Sequence, residues 1–546
     1  MKTLYSALLV FFLVGVSVAR AQDKSPIQTF AAGLDSIRTA LKIPGLAAAL
    51  MTGDSVIFDN GFGYADLLNQ IPVTPSTTFR VASITKTFTS TIIMQLVEQG
   101  TLDLQTPISK YGLDFGNPNI RVKHLLTNTS DGEPGAHFQY NGYRFGRLGI
   151  VIEKTGGTPF FQLLMERIVK PLGMSSTAPG ISLFSYFNYV KEKQDMKPFF
   201  EKAFTSLAKP YEHDAAGKVL ETRYLDEFGA FGGLTTSTGD LLKYSAAIDR
   251  NLFLKEQTQK LVFTPNRTNN GATTPYGLGW FSQQYRGDWY YWHYGQTHGE
   301  SGLFVKVPSR KLTLVVLTNI DKLSQPFPLG DGDLFTSPVG QLFYKCFIDT
   351  AKSFRVIDFS QPVAAIATTI TTDRMDGHTE FYNKEIISQA SMNNIKGDSV
   401  KARDLYRLYG ELNFKGRNPA GNGKPLAIIK EMGINAERTV QFAISNKKPV
   451  RIFGVGENCS SDFSSWCDYG WIEDSRGKIV WQMQGQAAKH AGGAIKNQLV
   501  DTLITLPAGS YKLRYKSDGG HAFNQWDSAP PDFFFWGISV TSETTR

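Results

Sequence analysis

The order of strand-like and helix-like segments predicts an α+β domain with one antiparallel sheet, then a small helical connector, then an all-β sandwich. Three observations carry this reading. Paired strand patterns, Gly45–Thr52 and Ser55–Phe62 around the turn TGDS, come early and are followed by helices and loops up to about Leu254. Strand patterns return in YGLGWFSQQYRGDWYYWHYG and LFVKVPSRKLTLVVLTN, and strands, then helices, then strands is the order of an α+β domain. From about Pro425 the composition changes to short strand-like runs such as RTVQFAISN, VRIFGVGE and KIVWQMQ, separated by Gly, Asn and Asp turns.

Each element has a local reason. Residues 1–21 read as a cleavable signal peptide: Lys2, an apolar run from Leu4 to Val18, then the small-x-small site Ala19-Arg20-Ala21. The run is too short for a membrane span, so the mature chain is expected to begin near Gln22 and to be periplasmic or secreted, with no span after signal removal. Ile27 to about Lys42 is amphipathic and reads as a helix. Pro338 to Phe354 reads as a closing helix, which bounds a first domain at 26–354. Residues 355–416 are weakly helical, a degenerate helical-hairpin connector. In 425–546, Tyr511, Leu513 and Tyr515 alternate with Lys512, Arg514 and Lys516, the pattern of a half-buried strand.

Composition excludes several classes. The chain has 546 residues, 42% of them hydrophobic and 19% charged, which is globular rather than disordered. Its 57 basic and 49 acidic residues are well mixed despite a net charge of +8, and no basic run or basic–aromatic stripe points to nucleic acid. Cys459 and Cys467 flank SSDFSSW and could form a short-loop disulfide in an oxidising compartment, leaving Cys346 as a buried thiol. No metal-ligand spacing, nucleotide-binding loop or Gly-x-Ser-x-Gly elbow is present, so no metal or cofactor is expected. The aromatics Trp466, Trp471, Trp481, Phe523, Trp526 and Trp536 are core packing on the ordinary reading and a sugar-stacking surface on the sharper one. On the sharper reading the last domain would hold a cell-wall or glycan surface.

The chemistry-bearing stretch is VASITKTFTSTIIMQLVEQG, Val81 to Gly100. From Phe88 the apolar residues Phe88, Ile92, Ile93, Leu96 and Val97 form a helical stripe that Gly100 ends. Ser83 then falls at the first turn, where N–H groups are unpaired, and Lys86 projects from the same face. The spacing alone is weak, because Ser-x-x-Lys recurs at Ser206–Lys209, Ser445–Lys448 and Ser475–Lys478.

Further stretches in order give it weight. IPGLAAAL, GFGYADL, TPSTTFRVASITKTFTS, VKHLLTNTSDG, FQYNGYRFGRLGIVIEKTGG, PLGMSST, GAFGGLTTSTGDLLKYSAAI, YGLGW and WHYGQTHGESG together resemble the serine β-lactamases of the AmpC type, with the related D-alanyl-D-alanine peptidases, D-aminopeptidases and esterases. The resemblance runs from about Ile27 to Ile320 and implies a β-lactamase/transpeptidase-like fold. It implies that Ser83 is the nucleophile, that Lys86 and Tyr140 share its proton, and that His293, in the His-x-Gly form of the third motif, is an electrostatic partner of substrate or tyrosine. Gly295 would let the substrate backbone approach, and the N–H groups of Ser83 and Gln296 would form the oxyanion hole. Which of Lys86 and Tyr140 is the primary base stays open. Asn141 is the amide expected to bind substrate, but alignment on LGIVIE puts Gly142 where the family has its asparagine, a departure that weakens the β-lactam-hydrolysis reading without removing it. The expected function is an exported serine hydrolase acting through an acyl-enzyme on amide or ester bonds of a small-molecule or peptide substrate: a peptidase on D-amino-acid, peptidoglycan-type peptides or an esterase, with β-lactamase activity behind them. The alternative is a non-catalytic protein that uses the same cleft and the sandwich to hold cell-wall fragments.

Overall fold

The computed structural model describes residues 25–214, 216–349, 357–373, 379–413, 425–459, 465–486, 488–491, 496–523 and 535–542. The signal-peptide segment and Trp526 lie outside these residues.

The first helix, Pro26–Ala40, starts where its sequence says it should. Ser25 accepts from the Gln28 N–H, Gln28 reaches back to the Ser25 N–H, and Pro26 occupies the first turn. The chain then enters a seven-stranded antiparallel sheet in the order Ile71–Pro72, Ser55–Asp66, Gly45–Thr52, Leu312–Thr318, Glu300–Val307, Asp288–Thr297, Phe281–Tyr285. Leu46 faces Thr318 and Thr52 faces Leu312, so the early hairpin is joined to the late strands at its centre.

GLAAALMT and LTLVVLT are nearly unbroken apolar runs because both faces of the sheet are covered. Ala47, Ala49 and Met51 belong to one core with the helices between residues 85 and 263, while Leu46, Ala48 and Leu50 belong to the other with Phe30, Leu34 and Ile37 of the first helix. The segment expected as a connector is built differently from a hairpin. It holds three helices, Val363–Asp373, Thr379–Lys396 and Ser399–Asn413. Their Ile366, Phe381, Tyr382, Ile386, Leu405 and Tyr406 join the same core as the first helix, so this segment completes the second face of the sheet. The closing helix is shorter than its sequence suggests: Pro338–Phe343 runs on as a π-helical turn, Tyr344–Ile348.

The C-terminal region is an all-β sandwich with its own core. One layer pairs Pro425–Ile429, Gly537–Ser542, Lys448–Asn458 and Asn497–Leu506; the other pairs Glu437–Ile444, Gly509–Lys516, Trp466–Asp474 and Ile479–Gln482. They join where Glu457 and Asn458 meet Asp468 and Trp466. Trp466, Trp481 and Trp536 are buried in the core, whereas Trp471 is half-buried and donates to Glu473 at 2.8 Å. Cys459 and Cys467 form a disulfide with Cα atoms 5.7 Å apart, and Cys346 is free, its thiol pushed up to about 11 by burial. Among the described residues, no helix is long and apolar enough to cross a membrane.

Candidate active site

Ser83 lies in a single 3-10 turn, Ala82–Ile84, that runs into the helix Thr85–Glu98. The short strand before it, Phe79–Arg80, pairs with Leu234–Thr236, and the Val81 N–H donates to the Leu234 carbonyl at 2.9 Å. Ala82 is thereby held at φ 41°, left-handed backbone that costs on the order of 1–3 kcal/mol in a residue with a Cβ. The approach is locked by a buried ion pair. Arg80 Nε donates to Glu300 at 2.9 Å, and its terminal nitrogens donate to the Leu225 and Glu227 carbonyls at 2.7 Å each. Burial raises the Glu300 carboxyl to about 7 even with Arg80 opposing it. Arg80→Ala would strand that carboxylate, so a loss of about 3–5 kcal/mol is expected in urea unfolding at pH 8. The loss should shrink at pH 6, where Glu300 can take a proton; an equal loss at both values would contradict this account.

The helix behind Ser83 is buried almost throughout, although it is rich in Thr and Ser, because their hydroxyls find backbone partners. Thr89 donates to the Ala230 carbonyl at 2.8 Å, Thr85 accepts from the Leu234 N–H at 3.2 Å, and Ser90 donates to the Leu278 carbonyl. The first two bonds pin residues 230–234 along the helix, and the third pins Leu278. Lys86, 1% exposed, therefore reaches two partners at once: Ser83 Oγ at 2.8 Å and the Phe231 carbonyl at 2.6 Å. Its Nζ also lies 5.3 Å from the Tyr140 ring centroid and 5.4 Å from that of Phe145. Desolvation pulls the Lys86 ammonium down to about 7. An uncharged amine has N–H groups to donate to the Phe231 carbonyl and a lone pair to receive the Ser83 proton.

Tyr140 stands beside Lys86. Its ring is half-buried and stacks on Phe281 at 5.6 Å, while its hydroxyl is shielded and completes no hydrogen bond of ordinary geometry. Burial drives the hydroxyl well above the usual tyrosine range, with Ser83 offsetting a part. Tyr140 is thus a neutral phenol near pH 7.

His293 is placed differently from the expected electrostatic partner. It is fully buried 6.0 Å from the Tyr140 ring, with Nδ1 2.6 Å from the Tyr294 carbonyl and Nε2 2.9 Å from the Tyr276 hydroxyl. A carbonyl can only accept, so Nδ1 carries the proton and Nε2 accepts from Tyr276. Burial, reinforced by the Lys86 charge, holds the imidazole at about 3, so it is uncharged. Geometry makes His293 an anchor for the strand that carries Gly295.

Gly295 has a clear physical reason. A Cβ there would lie 2.2 Å from the Val81 carbonyl oxygen, so only glycine lets this strand touch the approach to Ser83. Ser83 and Gln296 flank that contact. Pairing with the outer strand Phe281–Tyr285 ends at Trp292, so among the described residues no strand neighbours 293–297 on that side. Gly295→Ala should lower kcat/KM by about 100-fold while the protein still melts cooperatively, since a displacement near 1 Å at such a contact costs that much. Wild-type activity in this variant would exclude the contact from the site.

Asn141, expected to bind substrate, is engaged within the fold. Its Oδ1 accepts from the Arg144 N–H at 3.0 Å, capping the helix Gly142–Gly146, and its Nδ2 donates to Asp131 at 3.1 Å. Both ends of the amide are committed. A Cβ on Gly142 would instead face Lys86 Nζ at 3.7 Å, so that side of the lysine carries no side chain. Sequence reasoning also missed Phe231, which acts through its carbonyl, and Tyr276. The available signal for Phe231 was its glycine setting in GAFGGL, where backbone must pass close to something. Among the described residues, the side-chain groups with metal-ligand spacing, Glu457/Asp468/Asp518 and Cys459/Cys467/Asp518, are in the sandwich and not here.

Comparison with known proteins gives a match between residues 30–332 and a family model described as Beta-lactamase. A penicillin-binding protein of Bacillus subtilis (strain 168) is 24% identical over 307 residues, 49% of this chain and 66% of that protein. Protein flp of Staphylococcus aureus (strain MW2) is 25% identical over 321 residues, 51% of this chain and 60% of that protein. The matched segment thus spans less than two thirds of either relative's own length. Among solved structures, the octameric penicillin-binding protein homologue from Pyrococcus abyssi has a TM-score of 0.47 and 23% identity, covering 54% of this chain and 73% of that one.

Proposed function

The chain belongs to the beta-lactamase family, and from that premise we propose that it is a serine hydrolase that cleaves amide or ester bonds through an acyl-enzyme. One observation carries the reading: the buried Lys86 amine, uncharged above about pH 7, lies 2.8 Å from Ser83 Oγ.

Ser83 Oγ attacks the acyl carbon as its proton passes to Lys86 Nζ. The carbonyl oxygen becomes an oxyanion held by the N–H groups of Ser83 and Gln296. When the tetrahedral intermediate collapses, the leaving nitrogen or oxygen takes a proton from Tyr140, which recovers one from Lys86. Water then attacks the ester carbon by the same route, giving the free acid and restoring Ser83. Lys86 rather than Tyr140 is the primary base, because burial lowers the lysine into the working range and lifts the phenol out of it.

Export is part of the proposal, supported by the leader-like residues 1–21 and by the Cys459–Cys467 disulfide. The test is acid-quenched mass spectrometry during turnover of an activated ester and of a D-amino-acid amide. An acyl group on the Ser83 peptide is expected. Turnover with no covalent species would reject the acyl-enzyme, and absence of both turnover and adduct would favour a binding protein.

A further inference from the structure

We propose, building on the hydrolase reading above, that the substrate carries no free carboxylate on its leaving side: the site takes neutral amides or esters and does not act as a carboxypeptidase. The proposal rests on the charges around the free edge of residues 293–297, where an extended substrate can add as a strand. His293 has both nitrogens in use inside the fold, one on the Tyr294 carbonyl and one on the Tyr276 hydroxyl, so it presents neither a charge nor a free donor to a ligand. Behind Tyr294, whose hydroxyl would lie 3.2 Å from a Cβ on Gly330, stands Asp331, a carboxylate only partly offset by Lys489 of the sandwich.

Three further cations of the described residues are engaged. Arg80 is paired with Glu300, and Arg144 with Asp131 at 3.3 Å while it also donates to the Ser130 carbonyl. Arg147 lies 4.3 Å over the Tyr143 ring, on the Gly142–Gly146 side of the site rather than along the Gly295 strand. Lys86 is itself held between Ser83 Oγ and the Phe231 carbonyl, and its proton-accepting role needs it uncharged. An incoming carboxylate would lose its hydration without gaining a countercharge, an unfavourable exchange.

What the site offers instead is apolar. Gly142 leaves the flank of Lys86 open, and two exposed aromatics stand near it, Tyr143 at 65% and Phe231 at 37% exposure. The Phe231 ring packs over the Gly146 backbone, within 3.1 Å of where a Cβ would be.

The test compares two peptides with the same N-acyl-D-alanyl donor, one ending in D-alanine and the other in D-alaninamide. Both break the same amide bond and differ only in charge. The capped peptide is expected to show a kcat/KM at least about tenfold higher, at low and at high salt. Equal rates, or preference for the free carboxylate, would overturn the proposal. If neither peptide turns over, a pair of aryl esters with neutral and carboxylated leaving groups makes the same comparison, read the same way. Failure of every substrate together with no fluorophosphonate adduct would instead overturn the hydrolase reading on which this one rests.

Discussion

Ser83→Ala is expected to abolish turnover, lowering kcat by roughly 10⁴- to 10⁶-fold on any substrate that the wild type cleaves, with little change in stability. The nucleophile cannot be replaced by its surroundings, and whatever rate remains reflects oxyanion stabilisation and positioning alone. The Ser83 hydroxyl is half-buried and bonded to Lys86, so removing it leaves the Phe231 carbonyl to hold the amine. Thermal melts should therefore coincide within a few degrees while steady-state rates separate completely. Retention of more than about one hundredth of wild-type kcat would place the chemistry elsewhere.

Lys86 carries the second large effect. In wild type, kcat/KM should rise with pH and level off above about 7, as the amine loses its proton. Lys86→Met should lower the plateau by about 10²- to 10⁴-fold and remove that limb. Stability should move in the opposite sense. The folded lysine titrates near 7 and the unfolded one near 10.5, so between these values the unfolded chain binds more protons, and wild-type stability falls as pH drops through that window. The methionine variant lacks this dependence and should be at least as stable as wild type at pH 7, as expected where a site keeps a costly group for function. A pH–rate profile unchanged in shape would remove Lys86 from the base role. A destabilised variant would mean that the amine is held more favourably than its burial implies.

Much of the site was legible because its signals are local. Three-residue spacing at a helix start puts Ser83 and Lys86 on one side, and the apolar stripe after Phe88 fixes that helix. The first helix, the early hairpin and the late strands were readable for the same reason: caps, turns and unbroken apolar runs lie within a few residues of one another. What escaped was long-range or carried by backbone. The Phe231 carbonyl is 145 positions from Lys86 and has no side-chain identity to read. His293 Nε2 is engaged by Tyr276, which sequence pattern places only as part of a structural signature. Asn141 was partly readable, since an asparagine three residues before Arg144 at a helix start is a capping pattern; its second commitment, to Asp131, needed the fold. The helices of 363–413 were underrated because their packing partners are distant in sequence: Ile366, Phe381 and Leu405 share a core with Phe30 and Leu34, and Glu385, paired with Lys345, is buried among them.

The most direct test of the central claim, that Ser83 is a nucleophile activated by Lys86, is the rate of fluorophosphonate labelling followed by intact mass from pH 5 to 9 in wild type, Ser83→Ala and Lys86→Met. The predicted result is a single adduct on Ser83 whose rate rises through about pH 7, is slow and without that rise in Lys86→Met, and is absent in Ser83→Ala. No adduct on folded wild type, or one that persists in Ser83→Ala, would contradict it.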